Sequence, residues 1–341
     1  MSAALLPLVS VVTPVYNDAD HLAACIESVL AQTYVNWDYT IVNNCSTDES
    51  LAVAQKYAAR DSRIRVMNNH RFLRIIENHN HTIRQISSGA KYCKFVFADD
   101  WLFPNCLDEL VRAAEARASV GLVGGFTMDG RSVLWQGPEY PASCVDGREV
   151  CCAKLLGGPY LFGTMTSLLL RGDLIRKRAV FFNEQNLHAD HEACIDVLQE
   201  SDFGFVHQVV AFSRPPERST STFAKEFNSF LLGELVIFLK YGSVFLNQEQ
   251  FIRRYKSLRG EYYRMLARNI LRVRRRQFWE YHRNTLAAFG SQIEWRPLAL
   301  SFVGELVARL CHPRESLTEI WRRWFRAGNL RSGWTGMQHP P

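Results

Sequence analysis

No stretch of this 341-residue sequence reaches the roughly 18 consecutive apolar residues that a membrane-crossing helix needs. Even the run from Phe230 to Leu239 is broken by Gly233 and Glu234. The N-terminus, MSAALLPLVSVVTPVYN, lacks a basic first region, and a proline and polar residues interrupt its apolar run, so it reads as a first strand rather than a leader or an anchor. The nine cysteines are scattered, odd in number and include no C-x-x-C pair. That argues against a disulfide framework or a zinc ribbon and fits a reducing, cytoplasmic setting. Internal repeats and low-complexity segments are also missing. The excess of charge is small, 40 basic against 34 acidic residues, which suits an anionic ligand or a membrane surface better than a dedicated nucleic-acid binder.

What is present is a 47% hydrophobic chain, long enough to bury a sizeable core. From Leu8 to Val15 the run LVSVVTPV is short, β-branched and almost continuously apolar, as in a parallel strand covered on both faces. Asn17 to Asp20 follow as a polar loop with capping residues, and then Leu22, Ile26, Val29 and Leu30 recur at helical spacing. The same order returns twice: strand Tyr39–Val42 with helix Ser50–Ala59, and strand Ile64–Met67 with a helix ending near Ser88. A fourth strand, Tyr92–Ala98, runs into Asp99-Asp100, with a helix from about Asn105 to Ala118 beyond it. The class is therefore α/β, with a mostly parallel central sheet flanked by helices. A strand pair around Gly121–Gly125 and Ser132–Gln136 extends the sheet, and Gly157-Gly158-Pro159 opens a loop before the apolar run Ser167–Leu170. After Phe223 the strand signals stop, and amphipathic stretches carry Trp279, Trp295, Trp321 and Trp324 among many arginines.

In open α/β sheets ligands bind beyond the carboxyl ends of the strands, which here bring together Tyr16-Asn17, Asn43-Asn44 and Asp99-Asp100. Of two adjacent acids after a buried strand, one can ligate a hard divalent cation and the other can hold a ribose hydroxyl. A capped or solvated turn is the plainer account of the same dipeptide.

The segments VSVVTPVYN, ESVLAQTY, IVNNCSTDES, FADDWLFP and GTMTSLLLRGDLIRKRAVFFNEQNLHADHEACIDVL, in this order, resemble family 2 glycosyltransferases of the GT-A fold over residues 8 to 220. The resemblance implies an inverting transferase taking a nucleotide-diphosphate sugar, a UDP-sugar first among them, with a divalent cation, Mn or Mg. It implies that Thr13, Pro14 and Tyr16 line the nucleotide pocket, that Asp99 binds the ribose and that Asp100 holds the metal. Asn44 stands where many relatives have an acid that reads the base; its amide oxygen can still accept from a base N–H, as a weaker contact. Phe97 replaces another frequent acid, so substrate phosphates and water would complete the metal shell.

An inverting transfer needs a base to deprotonate the acceptor hydroxyl. The resemblance places it at Asp190, with Glu192 and Asp196 as competitors, at the start of a helix. His188 and His191 lack the spacing of a zinc hydrolase and are read as supporting residues. Arg214 resembles a late arginine that pairs with diphosphate, with a surface ion pair as the alternative, and Asn80 a position facing the donor. The expected organisation is a GT-A-like domain over residues 1–222, with a donor half near 8–118 and an acceptor half near 119–222, followed by a helical extension over 223–341. The acceptor is a saccharide or lipid-linked hydroxyl, met one sugar at a time in polysaccharide or glycoconjugate synthesis. Its setting is the cytoplasm, at the inner face of a membrane that the basic cluster Arg272 to Arg276 can touch, with a solvated helix face as the plainer account of that cluster, and with no nucleic acid. A nucleotidyltransferase would bring a glycine-rich basic loop early in the chain, which Val9 to Asn17 does not offer. The remaining alternative is a non-catalytic protein that binds through its basic C-terminal helices to a membrane or nucleic acid.

Overall fold

The first strand, β1 (Val9–Val15), is buried at every position, and it lies parallel between β2 (Trp37–Asn43) and β4 (Tyr92–Phe95). These are features of a computed structural model that describes residues 6–130, 132–134, 136–214, 224, 226–270 and 276–311. With both faces covered, β1 has no use for alternation, and its sequence shows none. The main sheet runs β3 (Ile64–Asn68), β2, β1, β4, β9 (Leu169–Arg171), β6 (Val120–Asp129), β10 (Asp202–Phe212), β5 (Trp101–Leu102). Two short strands sit off this path: β7 (Ser132–Leu134) pairs β6 and β8 (Cys144–Val145) pairs β10. β1, β2, β3 and β4 are parallel, as are β6 and β10, whereas β9 is antiparallel to both its neighbours.

Helix α1 (Ala19–Leu30) buries Leu22, Cys25, Ile26 and Val29, the stripe its spacing foretells. α2 (Ser50–Ala58), α3 (Ile75–Ile83) and α4 (Cys106–Glu115) follow the next strands. Because the chain winds one way through β2 and β3 and then crosses to β4, the order reverses between β1 and β4, where a crevice opens at the strand ends.

β4 is shorter than the run Tyr92–Ala98 suggests. Its ladder ends at Phe95 opposite Val12, with one more bond from Val96 N–H to the Val12 carbonyl. The next amide, Phe97 N–H, donates instead to the Thr166 hydroxyl at 3.2 Å, and Asp100 N–H turns back to the Phe97 carbonyl. Apolar character persists past the strand because the residues are still buried, not because they are still paired.

The second half adds α5 (Gly147–Leu155), α6 (Gly172–Arg176) and α7 (Ala189–Val197). Asp146 caps α5 by accepting from Glu149 N–H at 2.9 Å. α8 (Ser229–Phe245) buries residues around its whole circumference and is a core helix. Two compact units emerge, residues 1–254 and 255–341, with α9 (Gln248–Ile270) running from one into the other. The composition change near 223 marks where strands give way to helices, while α8 still belongs to the first unit. In the second unit, α9 contributes Leu258, Tyr262 and Leu266, α10 (Arg276–Ala288) contributes Phe278 and Leu286, and Tyr262 shares a 2.9 Å hydrogen bond with His282. α11 (Trp295–Cys311) buries nothing fully. All nine cysteines are free thiols.

Gly147 tests how tightly α5 meets the sheet. A Cβ there would lie 1.9 Å from the Ser201 carbonyl oxygen and 2.6 Å from that of Leu198, and backbone cannot step aside cheaply. Gly147→Ala is expected to lower unfolding free energy by at least about 2 kcal/mol in urea titration. Gly89→Ala, with open space around it, should change it by less than about 0.5 kcal/mol.

Candidate active site

The loops after β1 and β2 are tied together before any ligand arrives. Asn17, at φ 49°, accepts from Thr47 N–H at 2.7 Å, and Asp48 accepts from Ala19 N–H at 3.0 Å. This leaves Asp18 half-buried beside His21 at 2.5 Å. Burial raises the Asp18 pKa, the Asp99 charge raises it further, and His21 and Arg214 oppose the rise. Asp18, Asp99 and Arg214 thus share one electrostatic field at the ends of β1, β4 and β10.

Asp99 and Asp100 are not equivalent. Asp100 is 3% exposed, with one oxygen accepting from the Thr166 hydroxyl at 2.6 Å and the other from Arg214 N–H at 3.0 Å. Burial, aided by the neighbouring Asp99 charge, pushes its pKa up to about 7. Asp99 is half-exposed, and among the described residues no hydrogen bond reaches its carboxylate. Beneath them lies Lys94, fully buried, donating to the Thr166 carbonyl at 2.6 Å and the Leu168 carbonyl at 3.1 Å. Burial lowers its pKa, while Asp100 and other neighbours favour the charged form.

On the nucleotide side, the residues at the end of β1 divide into core and mouth. Thr13 is fully buried, its hydroxyl 2.8 Å from that of Tyr39, and Pro14 is likewise within β1. Their side chains belong to the core, so only Tyr16 of this group projects, 48% exposed, edge-on to exposed Phe72 with ring centroids 4.8 Å apart.

Asn44 departs from its expected role. Its amide oxygen accepts from Leu73 N–H and from Asn69, each at 2.9 Å, and its NH2 donates to the Leu73 carbonyl at 2.8 Å. Both lone pairs are taken, leaving no acceptor for a base. An aspartate could not donate to the Leu73 carbonyl, which is a physical reason for the amide. Asn80 makes the same clasp on Phe182, accepting from its N–H at 2.8 Å and donating to its carbonyl at 2.7 Å. It anchors the strip that leads into α7 and does not face a donor with a free group.

At the start of α7, three acids divide cleanly. Glu192, 2% exposed, accepts from Asn183, Asn186 and Lys240. Asp196 is held by Arg178, Gln199 and Tyr241. Asp190 accepts from the adjacent His191 N–H at 2.8 Å, and among the described residues its other oxygen has no donor. His188 meets the Ser229 hydroxyl at 3.0 Å, and His191 packs its ring on Tyr160 at 4.9 Å with Nε2 buried and unpartnered.

Arg214 sets its guanidinium 5.7 Å from the Trp101 ring, and its Nε is buried without a partner, a donor aimed at nothing the described protein supplies. Residues 215–223 and 272–275, including most of the basic cluster, lie outside the described residues. Sequence reasoning did not single out Asp18, Phe72, Lys94 or Thr166. Of these, Lys94 left a signal: a lysine inside the apolar strand Tyr92–Phe95 has to be buried and paired.

Among the described residues no three His, Cys, Asp or Glu side chains converge as a metal cage. The available donor set, one unclaimed carboxylate at Asp99 with Asp18 nearby, fits a hard cation held mainly by substrate phosphates and water. A cavity of about 460 Å³ lies at the opposite end of the sheet, lined by Lys91, Tyr92, Glu115, Arg171 and Arg176. Lys91 pairs with Glu115 at 2.6 Å and Arg171 with Asp173 at 2.8 Å, while Arg176 donates to the Ala90 carbonyl at 3.0 Å.

Comparison with known proteins bears out the resemblance. Residues 10–145 match the model of glycosyl transferase family 2. The putative glycosyltransferase EpsE of Bacillus subtilis (strain 168) is 32% identical over 158 residues, covering 44% of this chain and 56% of that protein. Glycosyltransferase GlyG of Streptococcus pneumoniae serotype 4 is 26% identical over 189 residues, 52% of this chain and 58% of that protein. The chain thus spans little more than half the length of these relatives. In fold it is similar to S. aureus TarS 1–349 in complex with UDP-GlcNAc, at TM-score 0.63 and 13% identity, covering 83% of this chain and 80% of that one. It is also similar to mannosyltransferase PcManGT of Pyrobaculum calidifontis in complex with GDP-Man and Mn2+, at TM-score 0.52 and 16% identity, covering 93% and 84%. The α/β architecture with a mostly parallel sheet is that of GT-A glycosyltransferases.

Burial keeps three histidines neutral: His79, held to about 4 among Phe95, Phe97 and Phe182, and His188 and His191, both lowered. Unfolded histidines protonate below about pH 6.5, so each costs the native state about 1.4 kcal/mol per pH unit below that point, until its own folded pKa is reached. Asp100 acts oppositely, gaining a proton in the folded state as pH falls through about 7. Of the three histidines, His79 is lowered by burial alone, so in urea titrations between pH 6.5 and 5 the His79→Phe variant should lose stability less steeply than wild type, by up to about 1.4 kcal/mol per pH unit. Equal slopes for variant and wild type would refute it.

Proposed function

We propose that this chain, whose residues 10–145 form a family 2 glycosyltransferase domain, transfers a single sugar, with inversion, from a nucleoside-diphosphate sugar to the hydroxyl of a saccharide or lipid-linked acceptor. One observation carries this reading. Of the five acids that are candidates for the cation or the base, Asp99, Asp100, Asp190, Glu192 and Asp196, the ones that retain a carboxylate oxygen unclaimed by the described protein are Asp99 and Asp190, and they are the two that chemistry at a diphosphate and at an acceptor hydroxyl would require.

The base of the nucleotide rests against Tyr16 and Phe72, aromatic faces at the crevice mouth. Asp99 is the protein's ligand for the cation, Mn or Mg, and Asp100 holds the Thr166 hydroxyl and Arg214 backbone in place beside it. This gives Asp99 the cation in place of the ribose first expected of it, because both oxygens of the Asp100 carboxylate already accept hydrogen bonds within the protein. The bound cation would neutralise the charge that develops on the leaving diphosphate. Arg214, whose buried Nε has no hydrogen-bond partner among the described residues, supports the same charge from the end of β10. Asp190 takes the proton of the acceptor hydroxyl as its oxygen attacks the anomeric carbon from the face opposite the diphosphate. The bond from that carbon to the phosphate oxygen breaks, and its electron pair leaves with the nucleotide.

A UDP-sugar is the donor we favour, in keeping with the UDP-GlcNAc bound by TarS, and GDP is the alternative that PcManGT represents. The product is a growing polysaccharide or glycoconjugate, made in the cytoplasm where the basic C-terminal region meets the inner face of a membrane. Among the described residues no helix is long and apolar enough to cross one.

Calorimetric titration with UDP, GDP, dTDP and CDP, each with and without Mn, tests the donor site. One nucleotide should bind only with metal, and Asp99→Asn should weaken it at least about tenfold, while Asp190→Asn leaves binding within about twofold but lowers transfer by about 100- to 10,000-fold. Binding of none would make the domain a non-catalytic relative. Loss of metal-dependent binding in Asp100→Asn alone would restore the first assignment.

A further inference from the structure

Helix α11 is the least covered element of the second unit. Leu298, Ser301, Phe302, Glu305 and Arg309 are partly covered, with Glu305 bound to Arg268 at 3.0 Å. The other side presents Leu300, Val303, Leu306, Val307 and Leu310, which are 38 to 79% exposed. Their spacing places all five on one stripe of the helix, and Trp295, 72% exposed, stands at its start. Single exposed leucines need no explanation, but a continuous apolar stripe in water does.

The charge of the unit that carries this stripe points to what covers it. Residues 255–341 hold 16 Lys and Arg against 6 Asp and Glu, with five of the eight tryptophans, whereas residues 1–254 hold 24 against 28. The chain's whole basic excess therefore resides in the unit that carries the apolar stripe. A second copy would bring two units of net charge +10 (16 basic less 6 acidic residues) together, and a nucleic acid would leave the stripe in water. An anionic lipid surface satisfies both features, because phosphates meet the arginines and the acyl boundary takes the leucines. The helix lies in the interface rather than across it, since it is not apolar enough to span.

We infer that the second unit docks on an anionic bilayer, with α11 in the plane of the interface and its Leu300, Val303, Leu306, Val307 and Leu310 face turned toward the acyl chains. This gives the membrane contact proposed above a defined surface, and it rests on that reading. It also places the membrane-binding surface on α11 rather than on the basic cluster Arg272 to Arg276 alone.

Sedimentation of the full chain with vesicles of phosphatidylcholine, and of phosphatidylcholine with about one third phosphatidylglycerol, decides the matter. Wild type should pellet with the anionic vesicles at least about tenfold more tightly than with neutral ones, and less so as salt rises. Leu300→Asp with Leu310→Asp, both at exposed positions, should abolish pelleting while leaving the circular dichroism and nucleotide binding unchanged. Undiminished pelleting of that variant would overturn the role of α11 and leave the membrane reading standing. Failure of wild type with either vesicle would overturn both. A wild-type dimer in light scattering that the variant dissolves would show the face to be a contact between copies instead.

Discussion

Lys94 and Asp100 are both removed from water, and a buried charge persists only where donors and acceptors replace its hydration. The replacement comes largely from a single short segment. The 3₁₀ turn Met165–Ser167 and the residue after it give Lys94 two carbonyls, and the Thr166 hydroxyl reaches Asp100 while accepting from Phe97 N–H. The end of β10 closes the group through Arg214 N–H. This cluster ends β4 and turns the chain so that Asp99 looks outward, and it fastens the two halves of the first unit. Thr166 serves both groups, its carbonyl accepting from Lys94 and its hydroxyl donating to Asp100, so the segment that carries it couples the two.

A second device recurs around that centre. Asn44 and Asn80 each present an amide edge to the backbone N–H and carbonyl of one residue, Leu73 and Phe182, as a neighbouring strand would. Each clasp satisfies backbone groups in a loop that no ladder reaches and fixes its path. The first sets Phe72 beside Tyr16, and the second secures the strip before α7, where Asp190 begins the helix. Neutral amides suit this task because they donate and accept at once, whereas a carboxylate only accepts.

The contrast among the acids of α7 follows the same logic. Glu192 and Asp196 are engaged by donors from Asn183, Asn186 and Arg178 in the segment before α7 and by Lys240 and Tyr241 of α8, 48 and 45 positions away. Asp190 is two residues from one of them and escapes those donors by its place on the helix surface. Reactivity is thus left where the fold has not already spent the charge, which is also why Asp99 and Asp100, adjacent in sequence, differ in kind.

Period and punctuation in the sequence determined the βα order, the near-continuous apolar strands, the helix stripe from Leu22 to Val29, and the convergence of Tyr16, Asn44 and Asp99 at strand ends. Those features follow from local sterics and from which side chains water rejects, so they are written residue by residue. The division of roles was not. Whether Thr13 faces a ligand or Tyr39, whether Asn44 reads a base or holds Leu73, and which aspartate is free depended on partners 26 to 114 positions away. A polar side chain's chemistry is set by the groups that reach it, and only the tertiary structure decides which groups those are.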